Sequence, residues 1–452
     1  RQKRKTMRSG LREDSKLSEG NQQSLTPVAE NARIDVMDIL RGFALVGIVF
    51  MNIEFFNRSG TELRSFDPSL SGLDHTVGWL VRAFIEGKFY KLFSLLFGMG
   101  FTVMLLRARE AGRPFGAWFI RRMLILLAIG LAHNVFLWDG DILHDYAFGG
   151  IVFLGWIYLF DTPWLRRFNT PGVFLKIGLV WLLLPFAVMT FNGIKLGTQT
   201  TDAEMREQWQ YDLLVAAGVD ERLKEPAPEV ETTAEDEPDD VTDDEELTVE
   251  ERKERDISYW TNMERKWDSR AEKEVAIMSG DSYTAAVRYR ASHLKRDAGN
   301  TLFFTAVLLI PIFLIGYWFV ASGVLRQHRE HRQLFQSLAI VGLTLGSMTS
   351  VAGLYMLQHP ISETSKALWS IAFWCFNLGQ VLLAAGYLGL IVLLAGRPTA
   401  HRVLKTLAPF GRMALTNYIM QTVILISIFH GYAGGMYGKV SRSEQMLVVI
   451  AI

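Results

Sequence analysis

The chain holds one cysteine in 452 residues, Cys375, set inside an apolar run. A lone thiol excludes an intramolecular disulfide and leaves the redox compartment unmarked. Other absences narrow the function classes. No Walker loop, dinucleotide fingerprint, G-x-S-x-G elbow or Cys/His metal spacing occurs, which removes the commonest nucleotide, hydrolase and zinc signatures. Net charge is formally +0, from 47 basic and 47 acidic residues, so the total points to neither a nucleic-acid partner nor an acidic one. Basic residues are missing altogether from Glu225 to Glu251, a stretch that holds fourteen acids. Such a run repels itself and buries no core; it is expected to be a loop, with cation or partner capture as the alternative. No cleavable leader is expected, because the first apolar run is itself span-length and follows a long charged segment.

What the chain has in plenty is apolar length. Runs fit to cross a bilayer lie at 37–55, 89–107, 116–138, 144–161, 174–194, 301–325, 335–357, 367–395 and 413–430, where about 20 residues cover ~30 Å of hydrocarbon. A further run begins near 445 and stops at Ile452 before span length, so the chain is expected to continue. The stretch "TVGWLVRAFIEGK" at 76–88 is too short and too charged to span, and is expected along the outer interface. The fold class is therefore an all-α polytopic membrane protein of about ten transmembrane helices, with one large hydrophilic insertion.

Lysine and arginine set the expected orientation. Eight precede the first span; further clusters are Arg107–Arg122, Arg166–Arg167, Arg326–Arg332 and Arg397–Lys405. All five fall on one side if every span crosses, which places both termini in the cytoplasm. The expected organisation is a flexible cytoplasmic tail at 1–32, five spans in 33–194, an external insertion at 195–300, and the remaining spans in 301–452. Within the insertion, the flanks of the acidic run carry Trp and Tyr at helical spacing and are expected as helices on the outer membrane surface.

Polar residues inside such runs mark candidate sites. On the first span Arg41 and Asn52 lie about 20° apart at ~100° per residue, with Asp38 within ~60° of both. They are separated by roughly 16 Å of helical rise. Asp38 and Arg41 can also be read as a plain i,i+3 ion pair, and Asn52 as interhelical glue. Farther on, "RRMLILLAIGLAHNVFLWDGDILHDYA" puts His133 near the outer end of one span, with Asp139 and Asp141 opening the next. Histidine with a carboxylate is the minimum for general-base work; a satisfied buried histidine is the plain alternative. Lys88 and Lys91 enter the second span, where they could meet an anionic substrate or snorkel to headgroups. Arg412, Thr416, Asn417 and Gln421 open the ninth, with Asn417 and Gln421 on one face suited to a wet interior or to interhelical hydrogen bonds.

Four ordered motifs, "R-x-D-x-x-D-x-x-R-G-x-A-L-x-G-I-x-x-x-N" from Arg33, "GKFYKLFSLLFGMGF", "GLAH…GDIL…YA" and "GRMALTNY", together resemble the YeiB-like family of bacterial inner-membrane proteins, which carry a domain of unknown function numbered 418. The resemblance implies a bacterial inner-membrane location. The first motif also looks like that of the transmembrane acyltransferases, which pass an acyl group from cytosolic acyl-CoA to an acceptor on the other side. That likeness implies a donor site at Asp38, Arg41 and Arg412, a cavity lined by Lys88, Thr416, Asn417 and Gln421, and Asn52 near the acyl carbonyl. In the bacterial acyltransferase branch a catalytic histidine stands eleven positions after the arginine. Here Asn52 occupies that place, so His133 with Asp141, or else His75, is the candidate base. Acyl-CoA is the implied donor and no metal or prosthetic group is indicated. Expected partners are the lipid bilayer and a small or lipid-linked acceptor, with a homodimer left open and no nucleic acid. A transporter or flippase using the same polar stripe without chemistry is the rival reading.

Overall fold

A computed structural model describes residues 35–60, 71–198, 269–358 and 366–452. The tail at 1–32 and the acidic run 225–251 lie outside the described residues. No strand occurs among the described residues, and the helices follow in chain order. The first six are α1 Asp35–Asn57, α2 Gly72–Phe84, α3 Lys88–Glu110, α4 Gly116–Phe136, α5 Leu143–Phe160 and α6 Pro171–Thr198. After them come α7 (269–278) and α8 Tyr283–Phe304, which passes through a π-helical turn at Thr305–Leu309 into α9 Ile310–Ala321. The last six are α10 Arg332–Leu357, α11 Lys366–Ala395, α12 Pro398–Leu404, α13 Ala408–Arg412, α14 Ala414–Phe429 and α15 Arg442–Ala451.

Among the described residues, eight helical stretches are long and apolar enough to cross a membrane, or nine if α12–α13 and α14, bent by 81°, form one span. The all-α polytopic class holds, where nine complete spans and the start of a tenth were expected. The run from 445 lies within α15, which starts at a capping box between Ser441 and Glu444. The run at 413–430 is not preceded by a straight approach: the chain turns at Met413, whose φ of −105° and ψ of 33° leave the helical region. The stretch 76–88 forms most of α2, which buries Gly78, Val81 and Ala83 and leads into α3 through Ile85–Gly87.

α1 is the enclosed span: 67% of its apolar window is buried, against 28% for α4 and 22% for α6. Its buried residues include Ile39, Leu40, Ala44, Leu45, Ile48, Val49, Ile53 and Phe56, which go all round the helix rather than along one stripe, as a helix in the middle of a bundle requires. Asn57 ends it and fixes the chain at 438–440, donating to Val440 O at 2.7 Å and accepting from Gly438 N at 3.0 Å. Elsewhere small residues set helix spacing. Gly342, Gly346, Ser350 and Gly353 line the α10 face towards α11, and a Cβ on Gly342 would meet the Gly386 backbone at 2.5 Å. Between apolar helices in lipid, such close approach supplies the dispersion contact that hydrophobic burial does not.

Candidate functional site

The carbonyl of His133 ends α4: it accepts from Leu137 N at 2.9 Å and Trp138 N at 2.8 Å. The chain then turns through Asp139–Gly140–Asp141 and starts α5 at Leu143. Gly130, one turn before His133, lets this return come close, since a Cβ there would lie 2.5 Å from His144 N. Helix end and helix start therefore face one another. The result is a buried pair, His133 Nδ1 at 3.2 Å from Asp141 Oδ1, with side chains 2% and 0% exposed.

Two residues from α14 complete it. Tyr418 and Thr422 are one turn apart on the same face. Tyr418 donates its hydroxyl to Asp141 Oδ1 at 3.2 Å, and its ring lies 5.4 Å from that of His133. Thr422 Oγ1 is 3.0 Å from His133 Nε2 and 3.3 Å from Tyr418 O. With Nδ1–H facing the carboxylate, Nε2 is the basic nitrogen and the threonine hydroxyl stands at its lone pair. The chain of polar groups continues on the other side: His144 Nδ1 is 3.6 Å from Asp141 Oδ2, while His144 Nε2 is 3.4 Å from Asp145 Oδ1 and 3.2 Å from Thr301 Oγ1. Asp141 lies in the connection between α4 and α5. Burial pushes its carboxyl up, but the imidazoles of His133 and His144 outweigh burial and hold it below the ordinary range. Among the described residues no group of three or more His, Cys, Asp or Glu is arranged to hold a metal ion.

The other candidates fall in different places. Asn52 is buried on α1, one turn before Phe56, whose ring packs 4.5 Å from Trp138. It thus lies near the depth of His133, yet makes no hydrogen bond to the described residues of that cluster. His75 is exposed on α2, away from the pair. Asp139 approaches His293 of α8 at 3.8 Å. At the opposite end of α1, Arg41 Nη1 meets Asp38 Oδ1 at 3.2 Å. The backbones of Leu407 and Gly411 press on this end, for a Cβ on Gly411 would meet Asp38 O at 1.9 Å. Arg412, next to Gly411, is exposed, as is Thr416; Asn417 donates to Phe410 O at 3.0 Å across the bend, and Gln421 is half-buried. Lys88 and Lys91 do not snorkel: they are 0% and 3% exposed.

Four contributors were not singled out from sequence. His144 stood within the quoted stretch and Tyr418 within a motif, but nothing in their spacing tied them to His133. Thr422 falls one turn beyond Tyr418 and was visible only as a polar residue in an apolar run. Arg290 of α8, 0% exposed, donates to Phe136 O at 3.3 Å and to the Tyr432 hydroxyl at 3.1 Å, and lies 3.3 Å from His430 Nδ1. It ties α8 to the ends of α4 and α14. No apolar pattern could have signalled it.

Helical class, span count and a buried polar centre between spans define a multi-pass membrane protein. Residues 319–452 match the family described as "Protein of unknown function (DUF418)". The uncharacterized protein YxaH of Bacillus subtilis (strain 168) is 28% identical over 95% of this chain and 89% of its own length. The uncharacterized protein YeiB of Escherichia coli (strain K12) is 25% identical over 92% and 88%. An uncharacterized 39.9 kDa protein from the amylase 3' region of Bacillus acidopullulyticus is 24% identical over 95% and 88%. No solved structure matches. Family match and relatives agree with the four motifs in their likeness to the YeiB-like DUF418 family.

Proposed function

We propose that the protein transfers an acyl group within the bacterial inner membrane, from a cytosolic acyl-CoA donor to a hydroxyl or amine of a small or lipid-linked acceptor. The observation that carries this reading is the placement of His133 between Asp141 and Thr422. A carboxylate on Nδ1 fixes the tautomer and supports the imidazolium, and a hydroxyl on Nε2 marks where a nucleophile would sit. In the step, the acceptor oxygen or nitrogen attacks the thioester carbonyl as its proton passes to His133 Nε2. The carbon–sulfur bond then breaks, and the proton goes on to the departing thiolate. Asp38 and Arg41 would hold donor phosphates at the other end of α1, since a guanidinium suits bidentate contact with phosphate. The likeness of the first motif to the transmembrane acyltransferases supports the choice of acyl chemistry, with both termini and the donor end in the cytoplasm.

The test is acyl-CoA turnover by the purified protein in detergent or nanodiscs, with melting temperature measured alongside. His133→Gln keeps size and polarity but removes the base; turnover should fall by about 10²–10⁴-fold at little change in melting. Full activity in that variant would overturn the assignment. Transport without chemistry is the second reading, favoured by the run His133, Asp141, His144, Asp145 and Thr301, which has the make-up of an intramembrane proton path. Counterflow of an unmodified solute, absent acyl turnover, would select it.

A further inference from the structure

The connection between α2 and α3 breaks the helix inside the bundle. Gly87 takes φ +80°, and a Cβ there would lie 2.0 Å from the Gln380 side chain, so only glycine fits. The first turn of α3 packs against the middle of α1: a Cβ on Gly47 would lie 2.0 Å from the Phe89 ring, and Gly87 N reaches Met51 Sδ at 3.4 Å. Gly47 is the thirteenth of the 23 residues of α1. The N-terminus of a 23-residue helix, with its partial positive charge, therefore points into the protein at about half the depth of a span.

Two cations sit on that turn. Lys88 Nζ donates to Arg82 O at 2.6 Å and lies 4.6 Å from the centre of the Phe376 ring. Lys91 Nζ donates to the Tyr90 hydroxyl at 2.8 Å and to Gln380 Oε1. Six ammonium N–H bonds thus meet three oxygens, and neither lysine pairs with a carboxylate among the described residues. The nearest acids are already engaged: Glu86 with Arg82 at 3.3 Å, and Glu54 with Arg442 at 3.4 Å and Arg58 at 4.0 Å. Buried charges are ordinarily paired, because an isolated one is expensive to desolvate. A small cavity of about 30 Å³, lined by Met51, Glu54, Arg82, Glu86 and Arg442 but by neither lysine, lies beside the break; it has room for a water or two.

We propose that this break binds an oxyanion. A carboxylate or phosphate group is held by Lys88, Lys91 and the N-terminal turn of α3. It supplies the negative charge that the two lysines lack. Broken helices whose N-termini meet anionic groups at mid-membrane are a recurring device for substrate binding, and oxyanions suit helix N-termini in general. The site does not rest on the chemistry proposed at His133. A failure of either leaves the other standing, because one is read by binding and the other by turnover.

The experiment is thermal unfolding of the full chain in detergent at constant ionic strength, with chloride replaced by inorganic phosphate or by acetate. A third arm uses nanodiscs with and without phosphatidylglycerol. At least one arm should raise the melting temperature saturably by roughly 2–4 °C. Phosphate or acetate acting alone identifies a free solute, and phosphatidylglycerol acting alone a lipid headgroup. In Lys88→Met/Lys91→Met the response should vanish, and in Lys91→Gln the apparent Kd should rise at least about tenfold. His133→Gln should respond as the wild type does. No difference from chloride in any arm, or an unchanged response in Lys91→Gln, would overturn the proposal, whether or not the double variant folds.

Discussion

The two buried polar centres handle charge in opposite ways. Around His133, Asp141 is surrounded by groups that accept its charge: two imidazoles and a tyrosine hydroxyl. Around Lys88 and Lys91 the neighbours are neutral, namely a backbone carbonyl, Tyr90 and Gln380, while every nearby carboxylate is taken by an arginine. The first centre carries its own carboxylate among imidazoles and the second is short of negative charge. A carboxylate beside imidazoles suits a centre that moves protons. A deficit suits a centre that waits for an anion. Arg290 is a third case, buried like the lysines and set among the neutral groups Phe136 O, His430 and Tyr432.

This contrast can be broken or sharpened by substitution. The largest effect belongs to Asp141→Ala, which leaves His133, His144 and Tyr418 without their common acceptor. It should destabilise the protein by about 3–5 kcal/mol, as removal of one partner from a buried charged cluster does, read as a fall in denaturant or thermal midpoint in detergent. A loss under 1 kcal/mol would mean that the carboxylate is no hub.

Acid titration separates the centres further. His430 sits just beyond α14, where burial and the Arg290 guanidinium push it down to about 3. An unfolded histidine takes up a proton near pH 6.5, so between about 6.5 and 3 the unfolded chain binds the extra proton and stability falls as pH falls. The slope approaches about 1.4 kcal/mol per pH unit for one proton. Asp141, held below its ordinary value, adds its own loss only as the pH falls below the ordinary carboxylate range, near 4. His430→Gln should therefore flatten the decline between pH 6 and 4.5 and leave the steeper loss at lower pH. An unchanged profile would place the titrating group elsewhere.

Tyr418→Phe removes one hydrogen bond from a site that keeps its other partners, and should cost about 0.6–1.7 kcal/mol, the range for interhelical polar contacts in membranes. Lys91→Met is the smallest effect and has the opposite sign. Without added oxyanion, removing an under-paired buried charge should leave stability unchanged or raise it by up to about 1 kcal/mol. A drop as large as that of Asp141→Ala would make the two centres alike.

Much of the cluster was legible in sequence because it is local. His133 and Asp141 are eight residues apart across one tight connection, so a span end followed by "DGD" was enough to bring them to one depth. Asp38 and Arg41 are an i,i+3 pair on one helix and meet at 3.2 Å as helical geometry requires. Thr422 and Tyr418 were not legible, since 289 and 277 residues separate them from the groups they touch. Among the many polar residues in the spans, linear spacing does not select these two.

What the sequence determined alone is the class and the lengths. Apolar runs of about 20 residues with polar connections can cross a bilayer only as helices, because backbone groups in hydrocarbon must be satisfied within their own segment. Tertiary structure decided where the polar groups in those helices point and whether a run is straight. Gly87 reads in sequence as one more glycine at a span entrance, and Lys88 and Lys91 as residues free to reach the headgroups. Only the packing of Phe89 on Gly47, and of Gln380 over Gly87, sets that entrance against the middle of α1 and buries both lysines. Hydropathy measures how much of a chain prefers lipid. It carries no term for where a helix begins within the bundle, which contacts with other helices fix.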